Sequence, residues 1–185
     1  MTADLINVHS YSAGSWVPST QQPHDGGRTI FNAVDGQVLG YAGNHHLDVK
    51  AMHHHAVDTG GPALRAMSFH DRARALKAMA TFLNQHKEQL YTLGFMAGAT
   101  RGDSWIDVDG GIGTLFAYAS KGRRELPDST VYLDGDVEQL SRNGSFLGQH
   151  ICMPKQGVAI HINAFNFPVW GMLEKLAASL LAGVP

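Results

Sequence analysis

The pattern of apolar and polar residues changes period several times along the chain, and each change predicts an element. Ser10 to Pro18 reads as one short strand around Trp16, ended by Pro18. Ser19 to Arg28 is turn-rich, with Pro23 and the Asp25-Gly26-Gly27 run. Two further strands, Arg28 to Val34 and Gln37 to Tyr41, flank an Asp35-Gly36 hairpin turn. A two-stranded ribbon is marginal alone, so these strands are expected to dock on something larger.

From Leu47 the period turns helical. Asp48 to Thr59 predicts one helix, stopped by Gly60-Gly61-Pro62. Ser68, with Asp71 three residues on, has the form of an N-cap with an acidic capping box. Leu76, Met79, Ala80 and Leu83 give that helix its apolar stripe, while Arg72, Arg74 and Lys77 are expected to point elsewhere. A further helix is expected from about Lys87 to Gly98. Another, from Ser104 to Arg124, carries Ile106, Ile112, Leu115, Phe116 and Tyr118 on its expected buried side. After Pro127 the pattern predicts a meander: Thr130 to Leu133, a turn at Asp134-Gly135, Val137 to Leu140, a turn at Asn143-Gly144, then Ser145 to Met153. This has the look of a β-arm that pairs with another subunit, an edge hairpin on the same domain being the plainer alternative. A β-branched run from Val158 to Ile162 predicts a buried strand, and helical periodicity resumes from Val169 to Leu181. Strand, turn and helix in that order form the opening half of a βαβ unit, and the fold class is α/β. The chain stops just after that helix, at Ala182-Gly183-Val184-Pro185, and is expected to be part of a longer unit.

Composition narrows the partners. In 185 residues the net charge is -2, which points to neither nucleic acid nor an acidic membrane surface as partner. One cysteine, Cys152, rules out an internal disulfide framework. No signal-peptide pattern opens residues 1 to 20 and no window suits a bilayer span, so a cytoplasmic location is expected.

Several tempting features have plainer explanations. His45, His46, His53, His54 and His55 cluster, but three consecutive histidines fan out around a helix and cannot all meet one ion. A solvated surface is expected there, and no metal. Asp109-Gly110-Gly111-Ile112-Gly113 lacks phosphate-loop spacing and falls inside a helical pattern. Close helix-helix approach through small residues is the expectation. Cys152 lies on a strand-like run with no helix N-terminus to activate it, and His150 two residues away is suggestive only; a packed, inert thiol is expected. Arg123, Arg124 and Glu125 end a helix, where cations suit the dipole.

The remaining stretch carries specific chemistry: Gly157-Val158-Ala159-Ile160-His161-Ile162-Asn163-Ala164-Phe165-Asn166-Phe167-Pro168. Ligands in open α/β sheets sit at the carboxyl ends of strands, where this turn falls. Asn166 has two roles open to it: a cap for the following helix, or a neutral amide that donates to a developing oxyanion.

Ala164-Phe165-Asn166-Phe167-Pro168 resembles the catalytic-asparagine turn of the aldehyde dehydrogenase superfamily, whose usual form is Pro-Trp-Asn-(Phe/Tyr)-Pro. With Gly60-Gly61-Pro62-Ala63-Leu64-Arg65-Ala66-Met67 and Asp107-Val108-Asp109-Gly110-Gly111-Ile112-Gly113 upstream, the likeness covers the chain from about Ser10. It is most specific to the semialdehyde-oxidising members of phenylacetate and benzoate catabolism. The resemblance implies an N-terminal helical part over 1–127, a β oligomerisation arm over 128–153 giving a homo-oligomer, and the start of a Rossmann-like NAD(P) domain over 154–185. Asn166 is then the donor that stabilises the thiohemiacetal oxyanion. Ile162, Asn163, Ala164 and Phe165 line the nicotinamide-ribose side of an NAD or NADP site. Phe167, Trp170 and Phe116 border the channel for a small-molecule aldehyde, in these members CoA-linked.

The family's nucleophilic cysteine and base glutamate lie farther along than Pro185, and Cys152 matches neither. These 185 residues alone are therefore expected to be inactive, as the N-terminal part of an enzyme. The alternatives are a catalytically dead truncated relative serving as an oligomerisation or binding module, and a histidine-rich metal-binding module.

Overall fold

The computed structural model describes residues 5–18, 27–44 and 46–185. His45 and most of the turn-rich Ser19–Arg28 stretch lie outside the described residues. The described chain is a mixture of helix and strand whose core is helical. Three helices build that core: α3 (Phe69–Gln85), α5 (Arg101–Arg124) and α6 (Pro168–Ala182), each packed on the other two. Leu76, Leu115 and Leu173, one from each, are fully buried, and the small residues Ala73, Ala80, Ala119 and Ala177 let the helices close around them. Burying each leucine is worth about 1.5–3 kcal/mol relative to exposure, so this seam sets the geometry on which the turn at 164–168 rests.

Two capping boxes start the long helices. Ser68 exchanges hydrogen bonds with Asp71 at the head of α3, as its spacing predicts, and Thr100 does the same with Asp103 at the head of α5. The second box starts α5 three residues before the expected Ser104. α4 (Lys87–Met96) lies against α5, joined to it by Asp109, which accepts from Lys87 Nζ at 2.8 Å and from the Tyr91 hydroxyl.

The first helical region departs from expectation. α1 (Val49–His55) does not stop at Gly60-Gly61-Pro62; it passes through a π turn (Ala56–Gly60) into α2 (Gly61–Ala66). Gly61 N–H donates to Ala56 O, five residues back. The wider turn accepts Pro62, which has no N–H to donate and whose ring would clash in a regular helix interior. Arg72 also corrects the expected pattern. It is fully buried, donates from Nη1 to Leu64 O and Met67 O at 3.0 and 3.1 Å, and lies over the Phe69 ring. The carbonyls at the end of α2 need donors, and a long guanidinium reaches them from the face that spacing assigned to solvent. Ile106 and Phe116 are partly exposed rather than buried, since the α5 stripe runs through Asp107, Val108, Gly111, Ile112, Leu115, Ala119 and Gly122 instead.

The N-terminal strands are short. Ser10 to Pro18 is a hairpin rather than one strand, β2 (Ser10–Ser12) with β3 (Ser15–Val17), because Ala13 and Gly14 take positive φ and reverse the chain. β4 (Arg28–Phe31) and β5 (Val38–Ala42) form the predicted hairpin, and β1 (Ile6–Asn7) adds to β5 in parallel. The hairpin turn docks on the helices through Ala33 N–H, which donates to Met96 O at 2.8 Å.

Two strand expectations fail. The 130–153 region is one antiparallel hairpin, β6 (Tyr132–Gln139) with β7 (Leu147–Cys152), rather than a meander. Gly135 takes φ 81° without reversing the chain, so Asp134-Gly135 marks an irregularity inside β6. Cys152 is exposed at the end of this hairpin, not packed. The Val158–Ile162 run forms no strand: no described strand runs beside it, and Ile160 and Ile162 are 82% and 87% exposed. β-branched residues favour extended backbone, but only a neighbouring ladder makes a strand of it.

Candidate active site

The turn that carries Asn166 is seated on α5 by contacts its own sequence does not advertise. α6 begins at Pro168 with Phe167 as N-cap, and no side chain of the turn caps it. The first-turn N–H groups, which have no intrahelical acceptor, are met from α5 instead. Asp107, 7% exposed, accepts from Val169 N–H through Oδ2 at 3.2 Å and from Trp170 N–H through Oδ1 at 2.7 Å. A carboxylate at a helix N-terminus is also favoured by the dipole.

The next turn of α5 lets α6 come close. A Cβ on Gly111 would lie 3.0 Å from Trp170 Cα, and one on Gly110 would lie 2.7 Å from Trp170 Cε3. The Gly110-Gly111 pair is therefore the close-approach surface that the sequence suggests, while Gly113 faces open space. Gly122 repeats the device farther along, against Leu181 and Ala73.

Asn166 is exposed, and among the described residues its side-chain amide has no hydrogen-bond partner. It does not cap α6; Asp107 does that work. It borders a cavity of about 530 Å³ walled by α4 (Leu90, Leu93, Gly94) and the Ala97 after it, the start of α5 (Ser104, Asp107, Val108) and the turn itself (Phe165 to Val169). Most of the lining is apolar, so a polar group presented here sits beside low-dielectric walls. Phe167 lines the same cavity. Trp170 lies instead against Gly110-Gly111, and Phe116 borders a different recess with Lys77, Ala119 and Arg123. The structure thus brings Asn166 and Phe167 together and leaves Phe116 on another face.

Ile162, Asn163, Ala164 and Phe165 are exposed, Phe165 to 95%, and their backbone groups carry no hydrogen bond among the described residues. Asn163 Oδ1 accepts from Lys175 Nζ, and His161 Nε2 meets Ser179 Oγ, so this segment lies along α6 without pairing to it. Free backbone beside an available amide fits a ligand read through main-chain atoms.

The α4 wall is braced by the Asp109 cluster. Burial raises the Asp109 pKa, but hydrogen bonds from Lys87 and Tyr91 outweigh it and hold the carboxyl below its ordinary value. The same hydrogen bond raises Lys87. Burial, then the hydrogen bond to Asp109, raises Tyr91. Among the described residues no cysteine lines the Asn166 cavity, and no group of three or more His, Cys, Asp or Glu is placed to hold a metal ion. His53, His54 and His55 are exposed on α1. Asp107 is the capping residue that spacing alone missed. Two signals were present: a charged residue on the buried stripe of α5, and a helix whose start offers no Ser, Thr or Asp.

A turn bearing an uncommitted asparagine, held by glycine contacts against a preceding long helix, is matched by the sequence profile of the aldehyde dehydrogenase family over residues 16–184, and the chain belongs to that family. It is 37% identical over 181 residues to the 3,4-dehydroadipyl-CoA semialdehyde dehydrogenase of Aromatoleum evansii. That alignment takes in 97% of this chain and 34% of the relative, so the chain spans about a third of that enzyme's length.

Proposed function

We propose that these residues supply the oxyanion-donor side of an NAD(P)-dependent aldehyde dehydrogenase site that oxidises a CoA-linked semialdehyde in aromatic-compound catabolism. The observation that carries this reading is Asn166: a neutral amide with no partner among the described residues, on a turn anchored to the helical core, beside a largely apolar cavity. A donor fixed in advance stabilises charge that appears only as the nucleophile adds to the carbonyl, and does so without reorganisation. The choice of substrate class rests on the family and on the name of the relative.

The cofactor, when bound, accepts hydride. The free backbone of Ile162 to Phe165 is the part of this chain that would hold its nicotinamide-ribose end, and Phe167 the part that faces the aldehyde. The nucleophile comes from outside these residues, since Cys152 lies on the β6–β7 hairpin and not at the cavity. The purified 185-residue chain is accordingly inactive, and NAD(P)H formation by it from an aldehyde would overturn that. The hairpin, with Leu133, Val137, Leu147 and Ile151 exposed, supports a role as the arm joining subunits of a homo-oligomer. The division into 1–127, 128–153 and 154–185 follows the same reading.

The test is the full reading frame carrying these residues, assayed for NAD(P)+ reduction with CoA-linked semialdehydes and free aldehydes. Asn166→Ala should lower kcat by about 10²–10³-fold. A variant with unchanged kcat would remove the donor role.

A further inference from the structure

We infer that Asp107 is a positioning residue of this site: by holding the first turn of α6 from α5, its carboxylate fixes where Asn166 stands. The inference rests on the donor role proposed for Asn166.

The geometry is specific. Asp107 is nine-tenths buried and uses both oxygens, one for Val169 N–H and one for Trp170 N–H. Two bonds from one carboxylate to successive amides set the orientation of the helix start as well as its distance. Gly111 lets Trp170 backbone atoms approach α5 so closely that a Cβ there would sit 3.0 Å from Trp170 Cα, and the helix would have to shift to accept it. The held amides are therefore tied to the core at two points one turn apart on α5.

The link from those amides back to Asn166 is short and stiff. Only Phe167 and Pro168 intervene. The Pro168 ring fixes one torsion, and a residue before proline is restricted in turn. Phe167 O accepts the first intrahelical bond of α6, from Gly171 N–H at 3.3 Å, so the helix starts directly at the residue after Asn166. Few soft torsions remain, so a displacement of the first turn passes to Asn166.

The choice of a distant cap has a chemical reason. A local Ser, Thr or Asp would satisfy the same N–H groups without burying a carboxylate from another helix. Had Asn166 taken that role, its side chain would be turned to the helix and withdrawn from the cavity. Assigning the cap to Asp107 leaves the amide free to donate elsewhere.

The experiment is a double-mutant cycle in the full enzyme, with Asp107→Ala, Asn166→Ala and the pair. Asp107→Ala should lower kcat by about 10²-fold, the scale of a small misplacement of a reacting group. KM should stay within about threefold, because the interaction lost is made in the transition state. In the Asn166→Ala background the same change should cost no further kcat. Asp107→Asn, which keeps an acceptor for Trp170 N–H, should recover most of the rate. Additive losses in the double variant, or wild-type kcat in Asp107→Ala, overturn the inference. Unchanged kcat in Asn166→Ala alone is a separate result, and it removes the donor role instead. Should Asp107→Ala fail to fold, hydrogen exchange in the wild-type chain decides. The Val169 and Trp170 amides should be protected despite their place in a first helical turn, and random-coil exchange rates there overturn the inference.

Discussion

The indole of Trp170 rests so closely on Gly110 that a Cβ at that glycine would lie 2.7 Å from its Cε3. Helix interiors disfavour glycine by about 0.8–1 kcal/mol against alanine, so three glycines in α5 between 110 and 113 cost helix stability. At Gly110 and Gly111 the cost is offset by the approach of α6; at Gly113, exposed and with open space around it, nothing offsets it. Gly113→Ala should therefore stabilise the protein by up to about 1 kcal/mol. Gly111→Ala should destabilise it by about 1–3 kcal/mol, since backbone atoms of Trp170 must move. Thermal midpoints of the two variants should shift in opposite directions; a common sign would refute the close-approach account.

Asn166→Ala should leave the thermal midpoint unchanged. A true N-cap lost to alanine costs about 1 kcal/mol, but here Asp107 makes the capping bonds and the Asn166 amide makes none among the described residues. Equilibrium unfolding of the variant distinguishes the two roles without any assay of activity. A loss of cap size would assign Asn166 to the helix after all.

Stability should fall on the acid side of about pH 4. Hydrogen bonds from Arg74 and Ser68 lower the Asp71 pKa, hydrogen bonds from Thr100 lower that of Asp103, and Lys87 and Tyr91 outweigh burial to lower that of Asp109. A depressed folded pKa contributes stability that is complete above the unfolded value and is lost as pH falls through the folded one. Urea midpoints measured from pH 7 down to pH 3 should trace that decline, and Asp109→Asn should make it shallower. Equal slopes for variant and wild type would exclude Asp109 from the acid limb.

The β6–β7 hairpin exposes Leu133, Val137, Leu147 and Ile151, and a two-stranded ribbon is marginal alone, which fits the proposed subunit contact. Leu147→Lys with Ile151→Lys should lower the oligomeric state seen by sedimentation while leaving the far-UV circular dichroism intact. An unchanged sedimentation coefficient would place subunit contacts elsewhere.

Much of the fold was legible because local chemistry decides it. The Ser68–Asp71 box, the Asp35-Gly36 hairpin and the helical periods of α3 to α6 follow from residues within a few positions of one another. Where the reading failed, a distant group intervened or a needed one was absent. Arg72 went inward because carbonyls at the end of α2 needed donors. Val158 to Ile162 formed no ladder, Ala159 N–H donating only to Pro185 O, because a parallel strand exists only beside another. Asp134-Gly135 became an irregularity inside β6 because pairing with β7 continues on both sides of it.

The candidate site divides along the same line. Sequence by itself determined that Asn166 stands in a family turn, between Phe165 and Phe167-Pro168, because motif and order are properties of the chain. It left open whether that asparagine caps a helix or faces a ligand. Tertiary structure decided this: a carboxylate from a helix some sixty residues earlier takes the helix amides at 2.7 and 3.2 Å, and the Asn166 amide stays uncommitted. The physical reason is that a hydrogen-bonding group is committed by whatever stands within about 3 Å of it, and that neighbour came from another part of the chain.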